Sequence, residues 1–508
     1  MKKVFFVLLA CFGLGLLSCS DDHLETEEIV PEILPAELEN FRFLAKNNAE
    51  ALISDIECNI IGDSIIECHI PHIVESKILI PSFEAVNGKV LYNDAEVVSN
   101  VTELDCTQPV KLELAGADTS MFYVLRVKCF TGLPVVYIDT ENKKDITSKT
   151  SYVKGTIRIV EDIETRGPGD VFEAPMKIKG RGNSTWTLPK KPYKIKFDER
   201  LSLLGEPEDK EWVLLANYAD KTSLRNETAF DMGRRSKLAY TNRTHFVEVI
   251  INGVYNGTYQ LAEQMKIAPQ RVNVGDYGYL LEVDAKAAAD DITFRVAHID
   301  QPVNIKDPEV KVNGEEYNYV VEYFKEADAA LFGENFKDAT NGYSKYLDVE
   351  SFVDWYLINE IAKNNDACFF SSCYMNLSRG GKIKMGPLWD FDIAFGNVNY
   401  NGNDNPEGFW IKDVAWFRRL FEDPNFVKAV KERFNYFYEE RENIYSQINS
   451  NATYLKYAVV ENNNKWGTFY TYTWPNNTIW GSYENEVQSM KIWLEKRFQW
   501  LNKQYASM

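Results

Sequence analysis

Three aspartates within residues 364–396 are the side chains of this 508-residue chain best placed to do chemistry. Asp366 follows an apolar run of helical character, and Asp390 and Asp392 interrupt the otherwise hydrophobic segment Trp389-Asp390-Phe391-Asp392-Ile393-Ala394-Phe395. A carboxylate withdrawn from water is costly unless a cation, a hydrogen-bond donor or a metal holds it. Asp390 and Asp392 therefore need a partner, and a divalent ion is one that would use both. Gly380-Gly381, between Asp366 and Asp390, predicts a tight turn and a short hairpin.

The elements that must position these acids lie earlier. Met176-Lys177-Ile178-Lys179 runs as a strand into the glycine-bracketed turn Gly180-Arg181-Gly182-Asn183, and Tyr193-Lys194-Ile195-Lys196-Phe197 returns. Alternate side chains of a strand share a face, so Tyr193, Ile195 and Phe197 point one way and Lys194 and Lys196 the other. Lys194, beside a glycine loop, could bring a point charge to nucleotide phosphates, or it could belong to a solvated basic face. A strand is expected over 211–216 and a helix over 224–238, with Asp220, Thr222 and Ser223 as capping residues. Asn252-Gly253 predicts a two-residue hairpin between strands at 246–251 and 254–265. On its second strand Glu263 shares a face with Tyr259 and Leu261 and needs a lysine or arginine partner. The strand at 278–284 is expected to close this β-rich half.

Flanking regions read more simply. Short β segments between residues 35 and 131 predict a small β-sandwich, immunoglobulin-like, ended by Gly132-Leu133-Pro134. Beyond residue 397, Phe426, Val427, Val430, Phe434 and Phe437 mark one face of a helix, as do Val487, Met490, Trp493 and Leu501 of a terminal helix. The aromatic-rich stretch 462–480 lies between them, and Trp466, Trp474 and Trp480 are either part of a helical core or exposed contacts for a glycan. The fold class is α+β.

Taken together, Lys179-Gly180-Arg181-Gly182-Asn183-Ser184-Thr185-Trp186, Lys191-Pro192-Tyr193-Lys194, Trp212-Val213-Leu214-Leu215-Ala216-Asn217-Tyr218, the hairpin ending in Gln260-Leu261-Ala262-Glu263 and the late Trp389-Asp390-Phe391-Asp392 resemble, in order and spacing, the spore coat protein H (CotH) kinase family. The resemblance covers about half the chain, roughly residues 135–397. It implies an atypical protein-kinase-like, two-lobed domain over 132–508 with a helical C-terminal part, binding ATP with Mg or Mn and transferring phosphate to a protein, on Ser or Thr, or to another hydroxyl-bearing acceptor. On that reading Asp366 is the catalytic-loop acid, Asp390 holds metal and Asp392 shares it. Lys194 faces the phosphates, Arg181 of the glycine loop belongs to the nucleotide site, and Glu263 pairs with the lysine or lines the cleft. Kinase catalytic loops carry a metal-binding Asn five residues after the acid, and here Ser371 stands there. The alternative is a surface adhesin or glycan-binding lipoprotein on the same scaffold.

A net charge of −19 argues against a nucleic-acid partner. Residues 1–18 have the basic start and short apolar run of a signal peptide, and Leu16-Leu17-Ser18-Cys19 ends it like a lipobox, so that Cys19 would be acylated. The acidic stretch 19–34 reads as a tether. The expectation is an outer-membrane lipoprotein facing the cell exterior, or alternatively the periplasm, held to the membrane through its lipid anchor only and meeting a protein or glycan acceptor there. Cys58, Cys68, Cys106 and Cys129 cluster in the first domain, where pairing would suit an exported protein, with the connectivity open.

Overall fold

Alternating apolar side chains in seven strands account for the middle of the molecule. In the computed structural model the described residues are 34–508, apart from 53–54, 63, 71–76, 129–130 and 162–170. The strands are β1 (Val135–Thr140), β2 (Val153–Val160), β3 (Phe172–Gly180), β4 (Tyr193–Leu201), β5 (Asp209–Leu215), β6 (Thr244–Ile251) and β7 (Val254–Glu263). They pair in the order β1-β2-β3-β4-β5-β7-β6, and a parallel β6–β1 ladder closes them into a barrel. Tyr193, Ile195 and Phe197 of β4 fill its interior with Trp212, Leu214, Tyr259 and Leu261. Lys194 and Lys196 are on the outer side, as the alternation requires.

From Trp212 to Leu215 strand β5 is apolar on both faces, while the outer face of β7 carries the buried polar Thr258 and Gln260 beside Ala262. Val213, Leu215 and Ala262 turn away from the barrel into a second, larger core. A wall shared between two cores explains the unbroken run Trp212-Val213-Leu214-Leu215-Ala216. The hairpin joining β6 to β7 turns at Asn252 and Gly253, whose φ values of 54° and 84° are those of the expected two-residue turn.

The second core lies under a five-stranded sheet, β8 (Tyr279–Val283), β9 (Thr293–Val296), β10 (Ile299–Asp307), β11 (Cys373–Leu377) and β12 (Ile383–Met385), in the order β9-β10-β8-β11-β12. The 278–284 segment does not close the barrel half. It is the centre of this other sheet, paired to β10 on one side and β11 on the other. Eight α-helices complete the described chain: α1 (Arg225–Arg234), α2 (Glu315–Phe332), α3 (Val349–Ala362), α4 (Ala415–Leu420), α5 (Pro424–Glu439), α6 (Arg441–Tyr454), α7 (Lys456–Trp466) and α8 (Tyr483–Ser507). The fold is thus mixed α+β with a helical C-terminal part. Helix α3 is buried all round from Ser351 to Ala362, the pattern of a helix enclosed by its neighbours. Phe426, Val430, Phe434 and Phe437 bury one face of α5, while Val427 is only half-buried.

Ahead of the barrel, the described residues between 34 and 128 form a three-stranded, a six-stranded and a two-stranded sheet around their own core, with a Cys58–Cys68 disulfide. Cys106 is buried and unbonded to another cysteine, and Cys129 lies outside the described residues. The same holds for Cys19, the signal segment and most of the acidic stretch. Among the described residues no helix is long and apolar enough to cross a membrane.

Candidate active site

Helix α3 ends in Lys363, which adopts the left-handed conformation at φ 46° and swings the chain into the turn Asn365–Ala367. That turn presents Asp366, only 9% exposed, at the edge of the second core. Asn365 donates from Nδ2 to Asp366 Oδ1 at 3.0 Å, and Lys286 Nζ lies 3.9 Å from Oδ2. Burial and then the neighbouring Asp390 carboxylate raise the Asp366 carboxyl above its ordinary value, against the opposing pull of Lys286 and Asn365.

The Trp389-Asp390-Phe391-Asp392 segment is pinned from the start of α1. Asn226 Oδ1 accepts the Phe391 amide at 2.8 Å, and Arg225 donates from Nε to the Ala394 carbonyl at 3.1 Å. Phe391 is fully buried. Asp390 takes a left-handed backbone at φ 67°, uncommon for any residue but glycine, and Ser372 donates to its Oδ2 at 3.1 Å. Backbone strain of that kind persists where surrounding contacts impose it, and the flanking Phe391 and Ala394 bonds supply the constraint. Asp392 is half-buried, and its carboxyl is pushed well above the usual carboxylate range by burial and by Asp390, Asp220 and Asp366. The three predicted acids are therefore brought together.

Arg181 joins them from the barrel. It follows β3 between two glycines that a side chain would block: a Cβ on Gly180 would lie 2.3 Å from the Trp186 ring, and one on Gly182, at φ 84°, would lie 2.2 Å from the Thr185 hydroxyl. The loop folds tightly and carries the Arg181 guanidinium 5.3 Å above the Trp389 ring. Burial lowers its pKa, while Asp390, Tyr374, Glu282 and Asp392 favour its charged form.

Lys194 and Glu263 are placed elsewhere. Lys194 is paired with Glu211 at 3.1 Å on the outer side of the barrel, and its charged neighbours are Glu211, Lys179 and Lys196. Glu263 is fully buried and accepts from the Tyr240 hydroxyl at 2.9 Å and from Arg243 at 3.0 Å, with Arg271 at 3.6 Å. The expected pairing of Glu263 with Lys194 is not formed, because two arginines from the loops after α1 and β7 reach the carboxylate instead. Trp466 is also not a surface tryptophan. It donates to the Asn256 carbonyl at 2.9 Å and packs edge-on against Tyr218.

Sequence reasoning passed over Asp284, Glu282, Lys286, Ser372, Arg225 and Asn226. Ser371, in the place of the kinase asparagine, donates to Asp284 Oδ1 at 2.9 Å, and Asp284 is one of the charges that raise Asp366. A detectable signal existed: Glu282 and Asp284 interrupt an apolar strand just as Asp390 and Asp392 do. Arg225 and Asn226 read only as part of a capped helix start.

Whether the acids suit a divalent cation can be judged from donor chemistry. Among the described residues no three His, Cys, Asp or Glu side chains are arranged around one point as a ready metal cage. Carboxylate oxygens are nonetheless the hard donors that Mg and Mn prefer, and Mg is ordinarily held by one or two carboxylates with substrate phosphates and water filling the rest. Asp390 and Asp392 fit that incomplete set.

Fold and site together define a mixed α+β protein whose carboxylates meet an arginine where a barrel abuts a helix-bearing second core. A family model described as CotH kinase protein matches residues 178–501. The chain belongs to the CotH kinase family. No curated protein matches the sequence. Among solved structures, a Bacteroides thetaiotaomicron crystal structure described as a "putative glycoside hydrolase" is similar at 15% identity with a TM-score of 0.17, over 37% of this chain. The match spans 53%, about half, of that other chain, and a likeness of this size bears on neither fold nor activity.

Proposed function

We propose that this protein transfers the γ-phosphoryl group of ATP to a hydroxyl-bearing acceptor, with the barrel and the helical part serving as the two lobes of a kinase-like arrangement. The observation that carries the reading is the meeting of Asp366, Asp390 and Asp392 with Arg181. Asp366 accepts the acceptor's hydroxyl proton as its oxygen bonds to the γ-phosphorus. The bond to the β,γ-bridging oxygen breaks, and ADP leaves with the electron pair. Arg181, with a planar fork suited to phosphate, holds charge that develops on the phosphoryl oxygens. Mg or Mn would be held by Asp390 and Asp392 and would supply neutralisation of the phosphates. Lys286 beside Asp366 and Asn365 on its Oδ1 keep the carboxylate oriented.

Asp366→Ala and Asp390→Ala should each leave a folded protein in which radiolabelled phosphate transfer falls by at least about a hundredfold, the usual loss for a positioned acid or base. Wild-type protein that neither binds nor turns over ATP with Mg or Mn would sink the reading. Attachment through an acylated Cys19 at the outer membrane, domain outward, belongs to the same proposal and rests on the sequence. Digestion of the domain by external protease on intact cells tests it.

A further inference from the structure

Beside Asp366 stands a mounted aromatic surface that the phosphotransfer chemistry does not use. The Tyr400 and Trp474 rings are stacked, 5.8 Å between centroids and 13° from parallel, and Trp474 is 64% exposed. Tyr400 continues inward: its hydroxyl accepts from Asn365 Nδ2 at 3.1 Å, and the same amide donates to Asp366. Burial and the Asp366 carboxylate push the Tyr400 hydroxyl up to about 12, as expected for a ring that borders the acid. Tyr472, 51% exposed, extends the surface and accepts from Asn399 at 2.7 Å.

The surface is fixed rather than loose. Lys363 Nζ donates to the Gly402, Asn405 and Glu407 carbonyls at 3.0, 2.8 and 2.7 Å, tying the loop that carries Tyr400 to the end of α3. Fully buried Asn476 donates to Asn397 at 2.9 Å and to the Ala219 carbonyl at 2.7 Å, which secures the Trp474 side. Holding large apolar rings rigidly in water forgoes the hydrophobic gain of burying them, and exposed aromatic patches of this kind mark binding surfaces.

We infer that this stack is the acceptor platform and that the acceptor is a saccharide. The inference rests on the phosphotransfer reading above. A pyranose presents a flat face of C–H groups that covers an aromatic ring, while its hydroxyls serve the amides of Asn399 and Asn401 and supply the attacking oxygen. The step is the one already written, with a sugar hydroxyl oxygen bonding to the γ-phosphorus and its proton passing to Asp366.

The test uses the full protein on an oligosaccharide array, followed by titration and ATP-dependent phosphorylation with maltohexaose, xylohexaose, chitohexaose and any array hit. Binding of at least one oligosaccharide is expected, with Trp474→Ala raising its KM by about tenfold and moving kcat less than twofold, as loss of uniform binding requires. Trp480→Ala, which removes an exposed tryptophan outside the stack, should leave that KM unchanged. Absence of binding to every saccharide, undiminished binding by Trp474→Ala, or phosphorylation of a Ser/Thr peptide library in place of saccharides would each overturn the inference. ATP binding measured in the same samples reports separately on the phosphotransfer reading, so the two can fail independently.

Discussion

Arg497 of α8 and Glu360 of α3 are both fully buried, with Nη2 and Oε1 2.7 Å apart. The pair ties three parts of the site's support together. Glu360 also accepts the Trp410, Ile411 and Lys412 amides, and Arg497 donates to the Pro406 and Gly408 carbonyls. The turn that carries Asp366 begins three residues after Glu360, at Lys363. Removing one member strands the other charge in the core, so Arg497→Ala should lose about 3–5 kcal/mol in a denaturant titration. A loss below about 1 kcal/mol would mean that water or another group replaces the guanidinium.

Asn226 touches no predicted reactive group yet holds the Phe391 amide between the two acids. Asn226→Ala should leave the protein folded and reduce single-turnover phosphate transfer by roughly tenfold to a hundredfold, the range seen when groups that orient a reactive carboxylate are lost. Wild-type rates in that variant would show that Asp390 keeps its place without the bond.

Arg181 and Lys194 make opposite predictions. Arg181 faces Asp390 and Asp392, and Lys194 faces Glu211. Arg181→Ala should weaken ATP binding or turnover by about tenfold to a hundredfold, the worth of a charge-assisted phosphate contact. Lys194→Ala should change either by less than about threefold. Isothermal titration with ATP in parallel decides between them, and a larger effect at Lys194 would restore the assignment made from the strand pattern.

Glu461 on α7 is 7% exposed, and burial together with Glu248 raises its carboxyl from 4.5 to about 8. The unfolded chain releases this proton near its ordinary value, while the folded protein keeps it to about pH 8. Over that window the folded state binds more protons, so stability is highest on the acid side and declines as pH rises. Glu461→Gln should flatten this part of the stability–pH curve and be more stable than wild type near pH 8 by more than about 1 kcal/mol. Parallel slopes for the two proteins between about pH 5 and pH 8 would rule the group out as the cause.

Residue type and local period determined a good deal by themselves. Asp390 and Asp392 stood out because a charge in an apolar run needs compensation wherever it folds, and Asp366 because it follows an apolar helical run. The inward set Tyr193, Ile195 and Phe197, the Asn252-Gly253 turn and the α5 stripe followed from periods that depend only on backbone geometry. Five ordered motifs were enough for the family. Tertiary structure decided what each face meets. Strand alternation put Lys194 outward but could not say that Glu211 waited there, or that Arg243 and Arg271, distant in sequence from Lys194, would take Glu263. The closing β6–β1 ladder, the central place of Tyr279–Val283 in another sheet, and the arrival of Asp284 beside Asp366 through Ser371 join residues that are far apart in the chain. Trp466 and Trp474 have the same side chain in the same stretch; one is packed against Tyr218 and the other lies open on Tyr400. Such partners are chosen by long-range packing, and no local period records them.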